Sequence, residues 1–245
     1  MPINYNHSQN RHTLKGAQAT LSQSPALAMS KSMLDVGCGA GTWLRAALDL
    51  GISDVFGIDG VDIPSDQLLV DPRLFKQCDL TAPVNLGRKF EIVLCLEVGE
   101  HLDARSAAVL IGTLARHSDN VVFSAACPGQ PGQNHVNCQW PEYWQELFNR
   151  QGFACEDSLR WQIWSNKDIE PWYRQNLFTA VKDVSRAGKE DRIKPVVHPD
   201  VNSWIFPERE RFESHIHQIE DGRVAAKWYF KAMILGLTNK IKRHI

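Results

Sequence analysis

The sequence predicts an α/β fold built on a doubly wound, mostly parallel sheet. Three observations predict it. Short apolar runs alternate with helical stretches from Met33 to about Cys127. The runs are partly β-branched or aromatic, as strands buried on both faces tend to be. The first run feeds directly into a glycine-rich turn.

Residues 1–30 are polar and then alanine-rich, and read as an irregular or helical lead-in. Strands are expected at Met33–Val36, Val55–Ile58, Lys76–Leu80, Ile92–Leu96 and Val121–Ala125, with helices between them such as Thr42–Leu50 and Arg105–Arg116. From Pro128 the texture changes. A Gly/Pro/Gln/Asn loop, Pro128–Asn134, leads to Pro141–Gln151, where Trp144, Leu147 and Phe148 recur at helical spacing and Gly152 is a stop. Phe153–Ile163 and Asn176–Val181 read as two further strands, and the charged stretch Lys182–Pro195 as a surface loop or linker. Val224–Ile245 reads as a final helix, with Lys240, Lys242 and Arg243 suited to its C-terminus.

The 245 residues are 43% hydrophobic and 22% charged, enough to bury a full core without staples. Lys+Arg 27 against Asp+Glu 28 leaves a net charge of −1, which argues against affinity gained by blanketing nucleic-acid phosphates. No two of the cysteines 38, 78, 95, 127, 138 and 155 form a C-x-x-C pair. Met1–Lys15 carries no apolar signal core, and no window reaches the ~20 apolar residues of a membrane span. The expectation is a reduced, soluble, cytoplasmic protein. Seven of the eight tryptophans follow residue 139, so the two halves are built differently.

The chemistry-bearing segment is Met33-Leu34-Asp35-Val36-Gly37-Cys38-Gly39-Ala40-Gly41-Thr42. Glycines at a strand-to-helix turn let backbone N–H groups approach a ligand at a helix N-terminus. The third glycine comes one residue earlier than in the dinucleotide spacing G-x-G-x-x-G. The second strand ends in Gly57-Ile58-Asp59-Gly60, where a carboxylate can accept ribose hydroxyls. The third ends in Cys78-Asp79-Leu80, so polar groups gather on the rim where open α/β sheets bind ligands.

Leu34 to Gly41 resembles the first motif of the class I S-adenosylmethionine-dependent methyltransferases, and the resemblance runs from about Met33 to Val181. It implies a Rossmann-like, seven-stranded sheet with an antiparallel last strand. It also implies S-adenosylmethionine as cofactor. Gly37, Cys38, Gly39 and Gly41 would pass near its methionyl part, Asp35 would support the ammonium, Asp59 and Gly60 would meet the ribose, and Asp79 and Leu80 would flank the adenine. The chain then divides into a lead-in or cap at 1–30, a methyltransferase domain at 31–183, and an aromatic-rich C-terminal extension at 184–245 packed on the same domain.

Glu97-Val98-Gly99-Glu100-His101-Leu102 resembles the Glu-Val-x-Glu-His-Leu signature of one methyltransferase branch. In its RNA 3′-end 2′-O-methyltransferases the matching acids and histidine, with a later histidine, hold a divalent metal. Glu97, Glu100, His101 and His135 match in type and order. Relatives without metal share the signature, and the favoured reading assigns no metal: Glu100 and His101 cap the following helix and order the cofactor pocket, with Glu97 counted among the cofactor contacts and Glu100 and His101 among the catalytic groups. His135, after the fifth strand, takes the acceptor's proton as a general base near neutral pH. The aromatics Trp140, Tyr143, Trp144, Trp161, Trp164, Trp172 and Tyr173 would supply the acceptor side or pack as core.

The expected activity is O-methylation of a small-molecule or glycan hydroxyl. The alternatives are metal-assisted methylation of an RNA 3′ end, which the near-zero charge disfavours, and a non-catalytic cofactor-binding scaffold. The last helix has five basic residues and no acidic one beyond Arg223, but packing on its own domain is favoured over docking to a membrane surface.

Overall fold

The computed structural model describes residues 5, 12–23, 25–231, 233 and 234. Its strands are β1 (Ser32–Val36), β2 (Asp54–Asp59), β3 (Phe75–Gln77), β4 (Ile92–Leu96), β5 (Asn120–Ser124), β6 (Phe153–Glu156) and β7 (Phe178–Lys182). They form one sheet in the order β3-β2-β1-β4-β5-β7-β6. The first five are parallel, whereas β7 runs antiparallel to both β5 and β6. The helices are α1 (Leu14–Gln23), α2 (Pro25–Ala28), α3 (Thr42–Asp49), α4 (Ala104–His117), α5 (Pro141–Arg150), α6 (Ser158–Ile163), α7 (Pro171–Asn176) and α8 (Pro199–Glu220).

Strand alternation sends successive side chains to opposite faces, and each face has its own core. Val93 and Cys95 of β4 join Leu110, Ile111 and Leu114 of α4 and Trp144 and Phe148 of α5. Ile92, Leu94 and Leu96 join Ala17 and Leu21 of α1, Leu44 of α3, Leu159 and Ile163 of α6 and Tyr173 of α7. Helices therefore cover both faces of the sheet, the doubly wound arrangement expected. Asp103, rather than the expected Glu100 and His101, caps α4, its carboxylate accepting from Ser106 N at 2.9 Å. Gly152 ends α5 at φ 77°, a left-handed position that glycine occupies without a Cβ penalty.

Several expected elements change. The apolar run Phe153–Ile163 is not one strand: β6 stops at Glu156 and α6 follows, because Leu159 and Ile163, four apart, bury together on one helical face. Asn176 ends α7 rather than beginning a strand. The third strand is only Phe75–Gln77, and Asp79 lies in the turn beyond it. The polar stretch Lys182–Pro195 is, beyond the end of β7, the mostly exposed surface loop expected, but it is tied down. Glu190 accepts hydrogen bonds from Gln145 and Asn149 of α5 and from Cys155 N, and Ile193, itself buried, donates to Gln145 Oε1 at 2.9 Å.

The chain divides into two compact units, Met1–Val201 and Asn202–Ile245. In the second, residues 226–231, 233 and 234 are helical, with Phe230 and Met233 exposed; the rest of the expected Val224–Ile245 helix lies outside the described residues. Among the described residues no helix is long and apolar enough to cross a membrane. All six cysteines are free.

Candidate active site

The rim is organised by the turn after β1. Gly37 N and Cys38 N both donate to Ile58 O, at 2.7 and 3.1 Å, which ties the turn to the end of β2. Gly37 has φ 81°, and a Cβ there would lie 2.2 Å from Val98 Cγ2. Only glycine meets both conditions. Gly41, at φ 84°, is the cap from which α3 starts, and Cys38 is buried beneath the turn. Asp59 holds the same turn: its Oδ2 accepts from Gly39 N and its Oδ1 from Val61 N, each at 2.8 Å.

Asp35 is buried in β1, and its Oδ2 has no hydrogen-bond partner. Burial, with the negative charge of Asp59 adding to it, raises the Asp35 carboxyl from 3.8 to about 8. An orphaned buried carboxyl at the ligand-binding end of a strand is a place for a cation to pair. Gly60 follows Asp59 at the end of β2. Leu80 is buried, but Asp79 is exposed and accepts from Thr81 N and Thr81 Oγ1, at 2.9 and 2.6 Å, and those bonds lower its pKa. Asp79 Oδ1 is thus tied within its own turn.

Beyond β4 the chain makes a tight turn in which one ligand atom each from Glu100, His101 and His135 lies within 4.8 Å of the others. Two glycines make room for them. A Cβ on Gly99 would lie 2.6 Å from the ring of buried Trp144, and one on Gly132 would lie 2.0 Å from His135 Nε2. Val136 N and Asn137 N donate to Glu100 O at 2.8 and 3.0 Å, fixing the His135 loop to the Glu100 turn. His135 Nε2 stands 4.0 Å from Glu100 Oε1. The His101 ring lies between His135, with centroids 5.0 Å apart, and Tyr5, at 4.8 Å.

The electrostatics are those of a buried cluster. Glu100 is fully buried without a hydrogen-bond partner for either oxygen; burial and the charge of Glu97 push its pKa well up. Burial also raises Glu97. Burial, then His135, pulls His101 down to about 4, and burial lowers His135. In both, burial favours the neutral imidazole. Two neutral ring nitrogens and a carboxylate also suit a divalent ion, so the residue set fits a metal as well as proton transfer.

The expected set is therefore brought together in two adjoining groups, Asp35 and Asp59 with the glycines, and Glu97, Glu100, His101 and His135. The Gly37–Val98 contact joins them. The structure adds residues that sequence reading missed. Gln130 Nε2 donates to Glu97 Oε2 at 2.8 Å, and Asn176 Nδ2 donates to Glu97 Oε1 at 3.1 Å. Glu97 itself adopts φ 56°, rare for a non-glycine residue and typical of functional sites. Glu170 accepts from Thr13 N, and Gly16 approaches it so closely that a Cβ would lie 2.1 Å from Glu170 Oε2, docking α1. The only sequence signal for these was the polar cluster Gln175-Asn176 within an aromatic stretch. Trp144 and Tyr173, two of the aromatics weighed for the acceptor side, are core.

A methyltransferase-domain family model matches residues 6–178. No match is found among curated protein sequences. Among solved structures, the sugar N-methyltransferase KedS8 from Streptoalloteichus sp. ATCC 53650 is 17% identical, with a TM-score of 0.50 over 72% of this chain and 89% of that one. CalS10, an amino pentose methyltransferase from Micromonospora echinaspora, is 14% identical, with a TM-score of 0.49 over 72% and 93%. DesVI of Streptomyces venezuelae is 16% identical, with a TM-score of 0.48 over 67% and 88%.

Proposed function

Because the chain belongs to the methyltransferase-domain family and is an S-adenosylmethionine-dependent methyltransferase, we propose that it methylates a hydroxyl of a small molecule or glycan. The observation that carries this reading is the convergence of Glu100, His101 and His135 within 4.8 Å beside the glycine turn.

The cofactor, when bound, supplies a methyl group already activated on a sulfonium, so the protein's task is to place the acceptor and remove its proton. Asp35 is suited to the ammonium, since a cation would pair its orphaned oxygen. Asp59, the carboxylate at the end of β2 beside the glycine turn, is suited to the ribose hydroxyls, and Leu80 offers an apolar wall for the adenine. His135, neutral and with Nε2 beside the Glu100 turn, accepts the hydroxyl proton; His101 and Glu100 hold the wall behind it. Replacing His135 with alanine tests the assignment: turnover should fall about 10²–10⁴-fold while cofactor affinity holds, and near-wild-type turnover discards the base.

The same convergence favours a second reading, in which Glu100, His101 and His135 would hold a divalent ion, which would supply Lewis-acid chemistry to an acceptor with vicinal hydroxyls such as an RNA 3′ end. A chelator separates the two: activity that survives EDTA rejects the metal, and activity lost to EDTA and restored by a divalent ion rejects the metal-free base.

A further inference from the structure

His135 needs a bare Nε2, whether that atom takes a proton or binds a metal. A neutral imidazole carries its hydrogen on either nitrogen, and the partner of the other nitrogen decides which. Here Nδ1 lies 3.1 Å from the backbone carbonyl of Gln130 and 3.6 Å from Cys138 Sγ; the carbonyl is the nearer and stronger partner, since a thiol is a weak donor and acceptor. A carbonyl only accepts, so Nδ1 carries the hydrogen and Nε2 is left bare toward Glu100, 4.0 Å away.

The Gln130 carbonyl belongs to a loop with no regular secondary structure, so something else must hold it. Its side chain is gripped on both atoms. Nε2 donates to Glu97 Oε2 at 2.8 Å, and Oε1 accepts from Asn176 Nδ2 at 2.8 Å. Asn176 also donates to Glu97 Oε1 at 3.1 Å, which closes a ring of three side chains from β4's end, the loop and α7's end. Gln175 extends the ring. Its Nε2 donates to Cys127 Sγ and Asn176 Oδ1, at 3.0 and 2.9 Å, and its Oε1 accepts from His198 N at 2.8 Å.

We propose that Gln130, clamped by Glu97 and Asn176, is the positioning residue that fixes the tautomer and orientation of His135. This rests on the reading that His135 Nε2 acts in the reaction. Gln130 touches no reacting atom. It works through its backbone carbonyl, and its side chain anchors that carbonyl.

The test uses the full-length protein with ¹⁵N-labelled histidine, the His135 signals being assigned by their loss in His135→Gln. Wild type should show the Nδ1–H tautomer at His135. Gln130→Ala and Asn176→Ala should each give a mixture of tautomers and lower kcat about tenfold, with KM for the cofactor within twofold, the scale of losing an outer partner of a functional histidine. In a His135→Gln background, Gln130→Ala should have no further effect on kcat. An unchanged tautomer in both alanine variants overturns the proposal, as does an equal loss of kcat with and without His135. Full turnover of His135→Gln by itself overturns the base reading instead, while the tautomer signal still decides the role of Gln130.

Discussion

Replacing Asp35 with asparagine should make the cofactor-free protein lose less stability between acid and neutral pH. The Asp35 carboxyl rises from an ordinary 3.8 to about 8 in the fold, through burial and then the charge of Asp59. Between those values the folded chain keeps a proton that the unfolded chain has released, so stability falls as pH rises from about 4 to about 8. From pH 5.5 to 7.5 the Asp35 contribution is a loss of roughly 3 kcal/mol. In a chain of this size that corresponds to roughly 5–10 °C in melting temperature. Thermal denaturation of both proteins at the two pH values isolates Asp35, because every other titrating group contributes to both. The wild type should lose more on going to pH 7.5, by that margin. Saturating S-adenosylhomocysteine, which presents an ammonium to pair with Asp35, should recover the wild type at pH 7.5 and help the asparagine variant less. Parallel losses in the two proteins would refute the reasoning.

Gly132→Ala places a Cβ on the His135 ring, so kcat should fall at least tenfold while S-adenosylhomocysteine affinity, measured by calorimetry, holds within about threefold. Burial lowers the His135 pKa below its usual 6.5, so the base stays neutral into mildly acidic solution. The acid limb of the kcat profile should accordingly bend below pH 6.5 and be absent from the residual activity of His135→Ala. Gly16→Ala forces a methyl onto the buried Glu170 carboxylate and should lower the unfolding free energy by about 1–3 kcal/mol, read from a lower denaturation midpoint. A midpoint unchanged within error would mean that α1 is not held by this contact.

Much of the fold was legible because parallel strands buried on both faces carry continuous apolar residues, as β1, β4 and β5 do. The glycine turn was legible because its chemistry is local: Gly37, Gly39 and Gly41 are two apart, and all three have positive φ. Glu100 and His101 were legible for the same reason. The segment Phe153–Ile163 was misread because a short apolar run suits a strand and a buried helix equally, and only the four-residue spacing of Leu159 and Ile163 separates them. The clamp of Glu97, Gln130 and Asn176 was hardly legible: Glu97 stood out, but the only mark of its partners was the polar pair Gln175-Asn176. Uncharged amides carry little signal in a sequence, and Asn176 reaches partners 79 and 46 residues away. Asp79 lies where the sequence placed it, just past the third strand, but its bond to Thr81 within that turn was not foreseen, although an aspartate two residues before a threonine commonly makes one.

The most direct test of the active-site account is transfer of a labelled methyl group from S-adenosylmethionine to a panel of hydroxylated sugars and small natural products, comparing wild type with His135→Ala in the presence of EDTA. The expected result is label transferred to an acceptor oxygen by the wild type and at least a hundredfold less by the variant, at equal cofactor occupancy. Label appearing only on nitrogen or carbon, or equal transfer by the two proteins, would contradict it.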